Sequence, residues 1–256
     1  LRKEFQSKYT FKTQSDTEVL LNAYIEWGEQ CLNKLNGMFS FAIWNKREQF
    51  LFAARDRFGV KPFYYSFENT NFIFASEINS LWAAGISEIP NDKVWLNYFV
   101  EGSYGMPDET FWKGIQQLSA GHYLTLKDNS LQIKKWYFFE ERIAELQNYF
   151  EENEEEYITK LLVKAINLRF RADVSIGFNL SGGLDSSTLL ALIDQQNRDK
   201  STIETFTFIT NDERYDELYW VKSMLDKKPY PLNVCELSYN EVPELALKIA
   251  QNQSEP

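Results

Sequence analysis

Between positions 174 and 190 the chain reads VSIGFNLSGGLDSSTLL: an apolar run, a glycine pair, then an apolar helical pattern with no intervening loop. A strand that turns directly into a helix is half of a βαβ unit. The sequence around it repeats the alternation. An amphipathic helix over Tyr157–Arg171 precedes it, marked by Ile158, Leu161, Leu162, Ala165, Ile166 and Leu168. TIETFTFIT then reads as a strand, YDELYWVKSMLD as a helix and VCELSY as a third strand. Such alternation specifies a parallel sheet with right-handed crossovers. In that architecture ligands bind beyond the carboxyl ends of the strands, where SGGLDSS lies.

The composition of the turn suits an anion. Gly182 and Gly183 let backbone approach a ligand closely and permit positive φ. Ser181, Ser186 and Ser187 offer hydroxyl donors, and the first amides of the following helix, with its dipole, face the loop. Asp185 repels phosphate unless a divalent cation bridges the two. The loop has no GxxxxGK[ST] lysine, so it is not a Walker A loop. The net charge of −10 means that any anion site must gather its positive potential locally. The same charge argues against nucleic acid and anionic membrane surfaces as partners.

The first half has a different period. Ser15 followed by Glu18 reads as a capping box opening one helix that runs to Asn36-Gly37, interrupted at Gly28. MFSFAIW, QFLFAARD, PFYYSF and NFIFASE read as four strands of one antiparallel meander, with a short helix over Ser76–Ala84. The stretch 95–121 reads as irregular, and HYLTLKD and QIKKWYF as a hairpin around Asn129. His122 in that hairpin reads as structural, and Arg55, Asp56 and Arg57 as an ion-pair cluster. Asp216 and Glu217 read as acids compensating a helix dipole. Aromatic residues make up 16% of the chain, enough for a substantial core. Two distant cysteines, Cys31 and Cys235, and one histidine exclude a disulfide framework and a zinc cluster. No run is apolar enough to span a bilayer and no signal peptide is legible, so a reducing, cytoplasmic setting is expected.

SGGLDSS resembles the signature of the PP-loop ATP pyrophosphatases. SDTEVLLNAYIEWG, LNGMFSFAIWN, ARDRFGVKPFYY, FASEI and SAGHYLTL with WYFF resemble the later part of the glutaminase domain of glutamine-hydrolysing asparagine synthetases. The resemblance implies an α+β domain like the N-terminal-nucleophile hydrolases, with antiparallel sheets and helices, over 1–139. It implies a linker over 140–155 and an α/β PP-loop domain with a parallel sheet over 156–256, both domains incomplete. It further implies ATP and Mg2+, and the substrates glutamine and aspartate; assembly as a homodimer is left open. Leu180, Ser181, Gly182, Gly183, Asp185 and Ser186 match the family's nucleotide loop, with Asp185 as its magnesium carboxylate. Phe208 matches a nucleotide contact, with a core aromatic as the competing reading. Asp16 matches the aspartate that binds glutamine, with a first-turn helix acid as the competing reading.

The family's glutaminase nucleophile is an N-terminal cysteine, and none stands in this chain: Leu1 is not a nucleophile, and Cys31 falls inside a helical pattern. Both ends look cut, so the chain reads as an internal fragment across a domain junction, inactive as a glutaminase and unstable alone. Two other readings stay open. One is a relative that makes a different amide or a β-lactam; the other is a non-catalytic binding module on the same fold.

Overall fold

The computed structural model describes residues 1–146, 153–170, 172, 174–196, 203–210, 212, 214–226 and 228–256. It divides into two units, Leu1–Ile143 with Ala250–Pro256, and Ala144–Ile249. The middle of the expected 140–155 linker lies outside the described residues. Among the described residues, no helix is long and apolar enough to cross a membrane.

The first unit opens with α1 (Arg2–Phe5) and α2 (Asp16–Trp27), a 3-10 turn (Gly28–Gln30) and α3 (Cys31–Lys34). The single long helix expected here is broken. Gly28 takes φ 55°, ψ −138° and its amide caps Tyr24 O, a conformation that only glycine adopts cheaply. The break swings the chain so that Cys31 and Leu32 enter the core. The capping box is also rearranged. Ser15 Oγ accepts from Thr17 N, but Glu18 turns outward to the amides of Lys12 (2.9 Å) and Thr13 (2.8 Å).

The strands are β1 (Ser40–Asn45), β2 (Phe50–Arg55), β3 (Tyr64–Glu68), β4 (Asn71–Ala75), β5 (Gln116–Gln117), β6 (His122–Lys127) and β7 (Ser130–Lys135). They do not form one meander. β1 and β2 pair as a hairpin, but the next neighbour of β2 is β6, giving a sheet of order β1-β2-β6-β7. β3 and β4 belong to a second antiparallel sheet, β4-β3-β5. The alternation along β2 shows why. Phe52 and Ala54 pack with Ala23, Cys31 and Leu32, while Leu51 and Ala53 pack with Phe63, Tyr65 and Leu118. A central strand apolar on both faces must be covered on both. The far side of the second sheet is covered by α4 (Ile78–Ala83), through Ile78, Leu81, Tyr64 and Ile73. The unit is therefore four layers, helices, sheet, sheet, helix. The stretch expected to be irregular contains the end of α5 (Asp92–Glu101), closed by Gly102 in the left-handed conformation. Residues 250–256 join this unit through Trp112 Nε1 donating to Ser254 O and Ser254 Oγ donating to Asn79 Oδ1.

Arg55, Asp56 and Arg57 are not an ion-pair cluster. Each charge is directed at backbone. Arg55 donates to the carbonyls of Gly59, Lys61 and Leu118, each at 2.7 Å. Asp56, 2% exposed, accepts from the amides of Phe39, Phe58, Val60 and Lys61. Arg57 donates to Leu35 O and lies over the Trp136 ring. A tight surface loop has more backbone donors and acceptors than it can pair internally, and buried ones left unpaired are costly.

The second unit carries α6 (Phe139–Leu146) in part, then α7 (Glu154–Arg169), β8 (Ile176–Asn179), α8 (Leu184–Asp194), β9 (Ile203–Ile209), α9 (Leu218–Leu225), β10 (Leu232–Glu236) and most of α10 (Val242–Gln253). Asn153 caps α7, whose first turn holds three glutamates that complement the dipole. The sheet is parallel, of order β10-β9-β8. Its core joins Ile166, Leu190, Ile193, Ile203 and Val221. β8 is not the fully buried strand expected; it alternates half-buried and exposed positions. β9 alternates likewise, Ile203, Thr205 and Thr207 buried, Glu204 and Phe208 exposed.

Asp56 is the point at which the first unit is most easily broken. Burial pulls its carboxyl up, but the four amides more than offset this and hold it below the usual carboxylate range. Its contribution is therefore present above about pH 4 and lost as pH falls below that. Asp56→Ala is expected to cost roughly 3 kcal/mol by leaving four part-buried amides without their acceptor, and to flatten the acid limb of the stability curve. Urea unfolding between pH 3 and 7 checks both; an unchanged midpoint contradicts the assignment.

Candidate functional site

β8 ends at Asn179, and Leu180 already returns its side chain to the core, 3% exposed, with its amide donated to Phe206 O. Only the backbone of Leu180 is therefore available to a ligand. Gly183 N-caps α8 at φ −76°, and neither Gly182 nor Gly183 has positive φ, contrary to one expected use of glycine here. Their use is space. A Cβ on Gly182 would stand 3.0 Å from Trp220 Cβ and 3.1 Å from Glu217 Cβ. The glycine thus lets the start of α9 close directly onto the loop.

The hydroxyls expected to point at a ligand brace the turn instead. Ser186 Oγ donates to Ser181 O (2.7 Å) and Ser187 Oγ to Gly183 O (2.6 Å), while Ser181 Oγ accepts from Gly183 N. What the loop presents is the backbone of the first turn of α8, whose amides have no intrahelical acceptor. Asp185 stands exposed in that turn.

Phe208 is not a core aromatic. It is 63% exposed near the carboxyl end of β9, on the edge from which the SGGLDSS loop leaves β8. Tyr215, Tyr219 and Trp220 are also exposed nearby in sequence, between the end of β9 and the first turn of α9. The two acids read as dipole compensators do other things. Asp216 Oδ1 accepts from Thr210 N and Oγ1, closing the exit of β9. Glu217 Oε2 accepts from Gly182 N at 3.1 Å. This contact was invisible in the sequence, because the two residues lie 35 positions apart on different crossovers. A further charged knot lies beyond β9. The Arg214 side chain and amide hold the Asp212 carboxyl down to about 2, helped by the Tyr239 hydroxyl.

In the first unit, Asp16 is exposed at the first position of α2. The loop before it is clamped from two sides. Arg2 donates to Thr13 O (2.9 Å) and Ser15 O (2.6 Å) and lies over the Phe11 ring, while Glu18 holds the amides of Lys12 and Thr13. Arg2, Tyr9, Phe11 and Lys12 also line an open cavity of about 440 Å³. His122 is held by Ala120 O at Nδ1, as a structural residue would be. Cys31 is fully buried, and burial pushes its thiol up to about 11. A thiol of that acidity in a sealed core is no nucleophile at neutral pH.

Comparison with known proteins matches residues 1–137 to a glutamine amidotransferase domain and residues 157–255 to asparagine synthase. Asparagine synthetase [glutamine-hydrolyzing] 3 of Bacillus subtilis is 32% identical over 94% of this chain and 41% of its own length. A putative asparagine synthetase [glutamine-hydrolyzing] 2 of Methanocaldococcus jannaschii is 35% identical over 87% of this chain and 44% of its own. The amidase chyE of Penicillium rubens is 31% identical over 75% of this chain and 28% of its own. The chain thus spans less than half the length of these relatives.

The two thiols should separate in a labelling experiment. Exposed Cys235 is expected to react with a thiol reagent at pH 8 within the mixing time, and buried Cys31 only after denaturant is added. Two thiols reacting in the native protein would contradict the burial assigned to Cys31.

Proposed function

The chain belongs to the glutamine-hydrolysing asparagine synthetase family, and from that premise we propose that the protein carrying it makes an amide at the expense of ATP. The observation that carries this reading is the SGGLDSS turn. It presents helix-start amides and one carboxylate at the carboxyl edge of a parallel sheet, within residues matched to asparagine synthase. In this reading the first unit is the later part of a domain like the N-terminal-nucleophile hydrolases, and the second the start of a PP-loop domain.

The chemistry requires two sites. Glutamine is hydrolysed at one, where Asp16, at the end of the loop fixed by Arg2 and Glu18, offers a carboxylate to the ammonium of the substrate. At the other, an oxygen of the aspartate side chain attacks the α-phosphorus of ATP, and pyrophosphate leaves. Ammonia then attacks the acyl carbon, AMP departs, and asparagine remains. A carboxylate alone is a poor electrophile, and adenylation supplies the leaving group. Negative charge grows on the departing pyrophosphate, and the helix-start amides of α8 would stabilise it. Phe208 offers an exposed ring face to the nucleotide.

The donor set fits magnesium. Among the described residues no three His, Cys, Asp or Glu side chains converge, so the ion would be held by Asp185 together with nucleotide oxygens and water, the usual arrangement for this cation. Bound there, it supplies charge neutralisation at the phosphates. The cell compartment that suits two free thiols is the cytoplasm. The resemblance to an amidase favours a second reading, a related synthetase acting on a different acid.

In the full-length protein, Asp185→Asn is expected to lower AMP and amide formation by about 100-fold or more. The thermal midpoint should stay within about 2 °C, because the residue is exposed. Undiminished synthesis by this variant would remove the role given to Asp185. Replacing aspartate by other acids in the pyrophosphate-release assay decides the acceptor.

A further inference from the structure

Glu217 stands just before α9 but makes no side-chain cap for its own helix. Its carboxylate crosses instead to the loop after β8 and accepts the Gly182 amide. The approach is close, since a Cβ at position 182 would stand 3.1 Å from Glu217 Cβ and 3.0 Å from Trp220 Cβ, tighter than ordinary contact. An amide in a turn suited to an anion is thus already occupied by an internal anion. Asp185, in the same turn, adds a second carboxylate.

We propose that Glu217 is a specificity-determining residue of the nucleotide site, which makes the loop discriminate magnesium-complexed pyrophosphate groups from free ones. This rests on the reading of residues 181–186 as the pyrophosphate loop. A free polyanion arriving at Gly182 must displace the Glu217 carboxylate and then sit beside it and Asp185. Like charges a few ångströms apart repel by more than thermal energy even in high dielectric. A magnesium complex carries much of its own neutralisation, and the displaced carboxylate then faces a cation. Free pyrophosphate is therefore disfavoured more than its magnesium complex, and a non-productive metal-free nucleotide is kept out.

Glu217→Gln isolates the charge, because its amide oxygen can still accept from Gly182 and the exposed position tolerates the change. Calorimetric binding of inorganic pyrophosphate to the full-length protein, in excess Mg2+ and in excess EDTA, gives the ratio of the two affinities. Glu217→Gln is expected to tighten metal-free pyrophosphate by about tenfold and to narrow the ratio correspondingly, while Glu217→Asp, which keeps the charge, retains the wild-type ratio. A residue that merely braced the loop would weaken both forms on substitution. Binding by wild type together with an unchanged or widened ratio in Glu217→Gln overturns the assignment alone. Failure of wild type to bind pyrophosphate under either condition overturns both the assignment and the loop reading beneath it.

Discussion

A backbone amide at the start of a helix needs an acceptor from outside the helix, and the second unit is arranged around that need. The chain is acidic, with a net charge of −10, so its surface has no general attraction for phosphate. What it has is a turn in which Ser186 and Ser187 bond to local carbonyls, Ser181 takes the Gly183 amide, and the first-turn amides of α8 have no intrahelical acceptor. Close packing of α9 on Gly182 brings one acid to one of those amides. The parallel sheet beneath sets the geometry: β8 delivers the turn, β9 delivers Phe208, and both emerge on the same edge. In the proposed reading, an anion is held by backbone placement, and the side chains adjust the charge around it.

The first unit solves a related problem with charged side chains. Its loops carry amides and carbonyls that no strand or helix pairs, part-buried around Arg55 and Asp56 and exposed around Arg2 and Glu18, and these four side chains satisfy them. Asp56 and Arg55 tie the turn after β2 to the strands on either side. Arg2 and Glu18 fix the loop that ends at Asp16. Exposed ion pairs such as Lys93–Glu109 add little by comparison, since solvent screens them.

Much of this was legible in the residues. The four apolar runs between Met38 and Glu77 overlap strands β1 to β4, and the strand–glycine–helix pattern at 174–190 covers β8 and the first turns of α8. Local signals, period and turn chemistry sufficed there. Partnership was not legible, because β2 pairs with β6, some 70 positions later, and no local pattern encodes that choice. Gly28 was noticed as an interruption, but only its φ of 55° turns an interruption into a helix end. Helix α5 was missed because DKVWLNYFVE is rich in aromatic and β-branched residues, which favour helix weakly. The candidate loop, Asp185 and Asp16 are legible in the sequence as motif matches. Glu217 and the Arg2 clamp are not, because their meaning depends on which backbone group each side chain reaches across the fold.

The central claim is that an acid is activated by attack on the α-phosphorus of ATP. Oxygen transfer tests it directly. The full-length protein would be supplied with ATP, ammonia and aspartate carrying 18O in its side-chain carboxylate, and the products analysed by mass spectrometry. Adenylation predicts one 18O in AMP for each amide formed, with pyrophosphate unlabelled. Unlabelled AMP alongside amide formation, or label appearing in inorganic phosphate with ADP, would contradict it.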